Sequence, residues 1–412
     1  MATLDHSIEA SAEAPADPMA LLFSQACADE PLPVYREMRE TCPVARGPGM
    51  FEGTSAVYLS RYADVQWALK HPETFSSSFD AISIGQEHPL IPLQVDPPEH
   101  AKYRRLLDPE FSPKKMAALE PDARLLVNRV IDEFASKDGC DFHEDFATPL
   151  PSTIFLALMG LPQSDLTTFL QWRDNTIRPD VAPDDWEGAQ RIREQTGRDI
   201  TVYFENAIEE RRSNPDDALL GRLVTTQIEG RPLTQAELLG ICHLLLLGGL
   251  DTVTATLDCN IVYLARNPER RREIVENPTL TASAIEELLR TETPVMMVPR
   301  VVKQDCTIDG VDIRAGDHAT MCIGAANGDD AEFDGAQEVD FTRSPNRHLA
   351  FGGGPHRCLG SHLARMELRV ALEEFHRRIP EYHLAEGTEI HYSAGIRQAD
   401  RLPLVFGPSP QA

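Results

Sequence analysis

Between Leu233 and Glu269 the chain reads LTQAELLGICHLLLLGGLDTVTATLDCNIVYLARNPE. Thr234 followed by Glu237 is a capping box, which places a helix start there. Asn267-Pro268 is a stop, because the residue before a proline is steered away from helical backbone. Roughly 33 residues at ~1.5 Å each make one rod of about 50 Å, long enough to cross a whole domain. The rod is apolar on nearly every side, so the rest of the chain must fold around it. Gly248 and Gly249 interrupt it, with Leu250-Asp251-Thr252 directly behind. A mid-helix glycine costs about 0.5–1 kcal/mol against alanine, and such breaks in a core helix are expected where function demands them. Without side chains at 248 and 249 a flat ligand can approach the backbone. Thr252 can donate its hydroxyl to the carbonyl of Gly248 and open the helix locally. A buried Asp251 needs a partner or a proton.

Other segments fit a mainly α protein with small β-sheets. PERRREIVEN and TASAIEELLRTE read as two shorter helices. VPRVVKQDCTIDGVDIRAGDHATMCI alternates and turns at Asp309-Gly310, a hairpin signal, and SAVYLS at 55–60 is a further strand. Residues 1–18, acidic and rich in Ala and Pro, read as a loose tail. RPDVAPDDWEG at 178–188 reads as an exposed, mobile connection. No long linker divides residues 19–412, which predicts one domain of mixed secondary structure, not a doubly wound sheet.

Charge and cysteine usage narrow the function. Among 412 residues, 39 Lys and Arg face 65 Asp and Glu, a net charge of −26. That field repels nucleic acid and anionic membranes. No Lys or Arg precedes Arg36, so the start lacks the basic region of a signal peptide. No apolar run approaches the ~18 residues of a membrane span. A cytoplasmic location is the expectation. The eight cysteines are scattered without a CxxC pair, so seven read as free thiols acting as small apolar residues.

Cys358 has different neighbours. It follows three glycines in FGGGPHRCLG and precedes the helical stretch SHLARMELRVALEEFHRRI. The unpaired N–H groups and dipole of a helix start favour a thiolate, and glycines 352–354 leave room for something flat and large. A thiolate so placed suits the fifth position of an iron porphyrin. Two other readings stay open from the residues alone. One is an inert buried thiol. The other is zinc held with His356 and His362, although a paired-cysteine motif and a fourth ligand are lacking.

HLAFGGGPHRCLG resembles the cysteine-ligand loop of the cytochrome P-450 monooxygenases, whose pattern is filled by Phe351, Gly352, Cys358 and Gly360. Glu287-Leu288-Leu289-Arg290 matches the family's ExxR pair, and Arg343 its partner arginine. The spacing agrees, since residues at i and i+3 share a helical face and can pair. The resemblance covers nearly the whole chain after the tail. It implies the cytochrome P-450 fold, with haem b between the long central helix and the Cys358 loop, and a haem-thiolate monooxygenase with Cys358 on the iron. DPPEHAKYRRLL resembles the family's D-x-P-x-H-x-x-x-R helix start, which makes His100 and Arg104 propionate ligands. Arg300 and His356 match two further propionate contacts. ANGDD at 326–330 departs from the pattern, where the third and fifth positions usually hold Arg and Pro.

The same resemblance assigns Asp251 and Thr252 to an acid–alcohol pair that relays protons to dioxygen; Arg178, just before a proline in the exposed connection, is our expected partner for Asp251. LLLLGGLDTV, DPPEH, GRPLT and LPLVF look most like the bacterial camphor-hydroxylase branch. There a tyrosine orients the ketone. His88 stands at the matching position, which implies a related small hydrophobic terpenoid or norisoprenoid. Matching pocket positions are Leu93, Leu244, Leu247, Met296, Val298 and Ile396, beside Gly248. No flavin or iron–sulfur motif is present, so electrons come from outside, from a [2Fe–2S] ferredoxin with an NAD(P)H-dependent reductase. Five Arg against one acid between residues 341 and 370 give that stretch a local charge of +4, suited to an acidic partner. A peroxide-driven hydroxylase and a non-catalytic haem sensor are the alternative readings.

Overall fold

The computed structural model describes residues 18–49, 54–182, 185–393 and 395–407. The expected tail lies outside the described residues but for Pro18, and so do residues 183 and 184 of the expected connection. The principal helices, in chain order, are α1 (Pro31–Thr41), α2 (Tyr62–Lys70), α3 (His100–Leu107), α4 (Pro113–Asp132), α5 (Pro149–Met159) and α6 (Leu166–Ile177). They continue with α7 (Trp186–Ser213), α8 (Gln235–Leu250), α9 (Thr252–Arg266), α10 (Pro268–Glu276), α11 (Thr281–Glu292) and α12 (Ser361–Arg378).

The main sheet is small and built from distant segments. Its strands are β1 (Val44–Pro48), β2 (Ser55–Leu59), β3 (Phe75–Ser76), β4 (Met297–Val302) and, after the hairpin of β5 (Cys306–Ile308) and β6 (Val311–Ile313), β7 (His318–Cys322). They lie in the order β1-β2-β7-β4-β3. Only the β2–β7 pair is parallel; Ala56 faces His318 there, and Arg300 of β4 faces Ala319 of β7. The hairpin turns where expected, with Asp309 and Gly310 both at positive φ (49° and 76°), as a two-residue hairpin of this twist requires.

The central rod is two helices. The capping box forms as expected, Thr234 and Glu237 each bonding the other's backbone N–H, and Asn267 ends the second helix. Between them α8 stops at Leu250, and Asp251, at φ −117° and ψ −44°, joins it to α9. The cause is a run of alternate threonines whose hydroxyls bond carbonyls four residues back: Thr252 to Gly248 (3.1 Å), Thr254 to Leu250 (3.3 Å) and Thr256 to Thr252 (2.7 Å). Such back-bonding competes with the backbone ladder and bends or opens a helix. The 32-residue rod Gln235–Arg266 is apolar enough to cross a membrane by length and composition, contrary to the expectation from the sequence, but it is mostly buried inside the protein.

The two glycines act differently. A Cβ on Gly249 would stand 2.8 Å from the Phe155 ring of α5, whereas one on Gly248 would meet nothing within 4 Å. Gly249 therefore serves close packing, and Gly248 alone faces open space.

A buried charge knot fastens α11 to the chain ahead of Cys358. Glu287 and Arg290 have fully buried side chains and pair through Nε–Oε2 (2.9 Å) and Nη2–Oε1 (2.8 Å). Arg343 adds its Nε to both Glu287 oxygens, and Asn346 donates to Oε2 at 3.0 Å. Arg290 also donates to the carbonyls of Asn327, Ala336 and Glu338. Burial pushes the Glu287 carboxyl up, but Arg290, the Asp340 N–H and Arg343 outweigh it and hold its pKa below the ordinary value. The irregular 326–330 segment is held beside this knot. Asn327 donates to Thr293 and accepts from the Leu349 N–H. At position 328 the family usually carries arginine and this chain glycine; Arg39 of α1 donates to the Ala325 carbonyl at 2.8 Å, and its guanidinium lies 3.4 Å from where a Cβ of Gly328 would stand.

Breaking the knot strands a buried charge, so Glu287→Gln is expected to cost about 3–5 kcal/mol in urea unfolding. Gly249→Ala is expected to lower the thermal midpoint through overpacking against Phe155, a cost of about 1–3 kcal/mol. Gly248→Ala is expected to leave the midpoint unchanged or raise it.

Candidate active site

The loop that carries Cys358 is shaped by its backbone. Gly352 and Gly354 take positive φ (68° and 63°), and Gly354 lies so close to α2 that a Cβ would stand 2.1 Å from the Leu69 carbonyl. Gly354 thus serves a tight approach to a neighbouring helix, while a Cβ on Gly352 would meet only the His356 carbonyl, at 3.8 Å. Open space lies also at Gly360, where an added Cβ would meet nothing within 4 Å. The Cys358 N–H donates to the Phe351 carbonyl at 2.8 Å, closing the turn. The Phe351 ring is covered by the Arg365 guanidinium, 4.3 Å from its centroid.

Cys358 is the one exposed thiol among the described residues. Crowding by the surrounding protein favours its thiol form, while the Gly360 N–H, Arg104, Arg357 and Arg365 all favour the thiolate. A metal cation at the sulfur would deprotonate it outright. Among the described residues no cluster of three metal-ligating side chains occurs, so the zinc reading has no support.

Four basic side chains gather beside this loop. The His100 and His356 rings lie with centroids 4.4 Å apart and planes tilted by 56°. Arg104 donates to the Arg357 carbonyl at 2.7 Å, tying α3 to the loop. Arg300 projects from β4 and is nearly buried. Burial and the neighbouring Arg300, His100 and Arg104 push His356 down to about 3, and burial pushes Arg300 down to about 10. His100 Nε2 and both ring nitrogens of His356 are buried without a hydrogen-bond partner, and the nearest carboxylate oxygen to His356, on Asp96, is 3.9 Å away. Concentrated positive potential with orphaned donors is what a dianionic group relieves. The residues present therefore fit the two carboxylates of a haem.

On the central rod, Thr252 and Asp251 face apart. Thr252 and Gly248 border open space, while Asp251 is fully buried. Both oxygens of Asp251 are held by Arg178, the residue that caps α6, as the sequence led us to expect. Arg173, which the sequence did not flag, approaches within 3.8 Å. The rod packs against α12, which starts just after Cys358, and Leu359 and Leu363 pack with the cluster containing Leu246, Leu247 and Leu250.

The pocket expectations divide. Leu244, Val298 and Ile396 are half-buried and Leu93 is exposed, while Leu247 is nearly buried. Met296 departs from its expected place: it lies in the core with Tyr35 and Met38 of α1. His88 lines a small pocket with Thr201 of α7 and Leu239, Gly240 and His243 of α8, so its helix neighbours precede Gly248 by two turns or so. The positive stretch before and after Cys358 is also thinner than its sequence suggests. Arg343 belongs to the buried knot. Arg365 makes a bidentate pair with Glu286, and Arg369 pairs with Glu120 and Glu373. Arg347 faces Glu332 at 3.7 Å.

Comparison with known proteins bears on the same site. Residues 49–378 match the family described as Cytochrome P450. A relative from Sinorhizobium fredii, "Probable cytochrome P450 127A1", is 36% identical over 82% of this chain and 80% of its own. The mycinamicin IV hydroxylase/epoxidase of Micromonospora griseorubida is 33% identical over 90% of this chain and 94% of its own. Among solved structures, the myxobacterial CYP267B1 in complex with myristic acid superposes with a TM-score of 0.86 at 30% identity, covering 94% of this chain and 99% of that one. Sequence match, shared fold and the orphaned basic cluster beside the cysteine loop agree: the chain belongs to the cytochrome P450 family and is a haem b monooxygenase.

Proposed function

We propose that this P450 hydroxylates a small hydrophobic substrate, a terpenoid or norisoprenoid, with O2 and two electrons from a [2Fe–2S] ferredoxin served by an NAD(P)H-dependent reductase. Cys358 is its iron ligand. The observation that carries the assignment is the gathering of His100, Arg104, Arg300 and His356 beside the Cys358 turn, with His100 Nε2 and both His356 ring nitrogens buried and unpartnered. Haem supplies the oxygen-activating chemistry, which a thiolate ligand promotes by pushing electron density onto the metal. The chain's own residues do the rest. Phe351 and Gly360 shape the sulfur side. Thr252 presents a hydroxyl anchored on the Gly248 carbonyl, with an oxygen left to accept from water. Asp251, one residue away and turned to Arg178 and Arg173, is the acid through which a proton reaches that hydroxyl. This pair favours O2 over peroxide as oxidant, since a peroxide route brings its own protons.

The substrate reading rests on Leu93, Leu244, Leu247, Val298 and Ile396, with Gly248 open beside them; apolar walls with few polar anchors suit a small lipophile. The stretches LLLLGGLDTV and DPPEH support a place near the camphor-hydroxylase branch, and His88 offers one hydrogen bond to an oxygenated ligand. For the ferredoxin, support has narrowed to Arg105 and Arg357, both exposed, on the two elements that Arg104 joins. A cytoplasmic location goes with this reading.

Carbon monoxide binding to the reduced protein tests the ligand. The unsubstituted protein is expected to show the red-shifted band of a sulfur-ligated ferrous haem, and Cys358→Ser to lose it; an unchanged band in the variant overturns the assignment. Arg300→Leu removes a charge-assisted hydrogen bond worth about 1.5–3 kcal/mol. It is expected to weaken haem retention roughly 10- to 100-fold, read from transfer to an apo-globin acceptor. Spectral titration with a terpenoid and norisoprenoid panel, followed by product analysis with ferredoxin or with peroxide, checks substrate class and oxidant together.

A further inference from the structure

We infer that the buried His143–Asp258 pair is a second proton-holding site on the central rod, coupled to Asp251 through Arg173 and reached from solvent beside Glu144. The inference rests on the monooxygenase reading of Asp251 and Thr252 given above. Asp258 lies on α9 seven residues after Asp251, two turns along the same side of the rod. It is fully buried, and its Oδ2 accepts from His143 Nδ1 at 2.8 Å, while its Oδ1 is buried without a partner. His143 opens the π-helical turn His143–Ala147, and the Thr254 hydroxyl holds that turn to α9 by bonding the Ala147 carbonyl at 2.9 Å. On its other side His143 Nε2 is 3.4 Å from the Thr148 hydroxyl and 3.9 Å from Glu144 Oε1, whose side chain is 68% exposed.

The surroundings give this pair no structural need of charge. The elements that carry it, the π-turn and α9, contribute Phe146, Ala147, Val253 and Leu257 to the apolar core. A buried ion pair is often replaceable there by apolar groups at no loss of stability. Arg173 of α6, whose Nε and Nη2 bond Asp174, stands between Asp251 and His143 as a charge acting on both. Its Nε is 3.8 Å from Asp251, its Nη1 is buried without a partner, and its charge opposes protonation of His143. Arg173 Nη1 and Asp258 Oδ1 are both buried polar atoms without a protein partner, which an apolar core carries at a cost.

The charged groups facing the pair are Asp141 and Glu144 from the π-turn segment, Arg173 from α6 and Asp251 at the helix junction. Burial raises Asp258 to about 6 against the pull of His143. The bond and charge of Asp258, with Glu144 behind, raise His143 against burial and Arg173. Protons balance in transfer: His143 takes one at Nε2 from the solvent side and releases the one at Nδ1 to Asp258 Oδ2, the reverse exchange returns it, and the change of charge is felt at Asp251. No electron moves.

The test uses the haem-loaded enzyme with its redox partners and compares Asp258→Asn, His143→Gln and Glu144→Gln. Infrared titration of the unsubstituted protein is expected to show a buried carboxyl band that titrates near pH 6 and is missing from Asp258→Asn. Asp258→Asn and His143→Gln are expected to keep the carbon monoxide band, lose coupling of electrons to product several-fold, and flatten the pH profile between about pH 5 and 8. Glu144→Gln is expected to move the inflection to lower pH, because it removes a charge that favours the imidazolium. A lower rate with unchanged pH profile and solvent isotope effect assigns the pair to structure and overturns the proposal. If Asp258→Asn does not fold, an unmoved inflection in exposed Glu144→Gln overturns it. Failure of the monooxygenase reading is distinct, because the unsubstituted protein then forms no product.

Discussion

The position of the cysteine loop depends on one carboxylate sealed from water. Glu287 on α11 receives Arg290, Arg343, Asn346 and the Asp340 N–H, so every lone pair that burial strips of water is given a donor. Arg290 in turn satisfies the carbonyl of Asn327, where the short helix Ile323–Asn327 ends, and those of Ala336 and Glu338 in the irregular stretch beyond it. A chain without regular structure can be buried only if its backbone groups are paired this way. Residues 327–349 therefore have a fixed course, and the turn beginning at Phe351 is delivered to one place.

The opposite wall gains its character from a defect. Thr252 bonds Gly248 while Asp251 turns away to Arg178, so consecutive residues serve two environments: one an open cleft, the other a closed ion-pair network. An unbroken helix would set these side chains about 100° apart on one continuous surface. The junction at Asp251 gives the fold freedom to separate them, and the alternate threonines maintain it.

Signals confined to a short stretch were legible in the sequence. The Thr234 capping box, the Asp309-Gly310 turn and the Asn267-Pro268 stop depend on neighbours a few residues apart. So did the Cys358 loop and the ExxR pair, whose pattern is local even though their partners are distant. What could not be read were pairings across the fold. Gly249 and Gly248 look alike in sequence, and only the Phe155 ring distinguishes them. The +4 of residues 341–370 counts charges along the chain, while Glu286 and Glu120 cancel it across space. An acid at 258 in a helix apolar on nearly every side was itself a signal; its partner, 115 residues away, was not to be found by spacing. Arg39 is the same lesson: it reaches the Ala325 carbonyl beside Gly328 from 286 residues away.

That long reach has a consequence for biosynthesis. Arg39 leaves the ribosome early, and the Ala325 carbonyl it holds leaves nearly three hundred residues later; Asp329, which accepts from the Tyr62 N–H, is tied to the start in the same way. The first helix must therefore wait, its guanidinium solvated, until most of the polypeptide has been made. The cofactor cradle is stitched from both ends of the message, and a nascent chain stalled before its last quarter has no platform on which to seat a porphyrin.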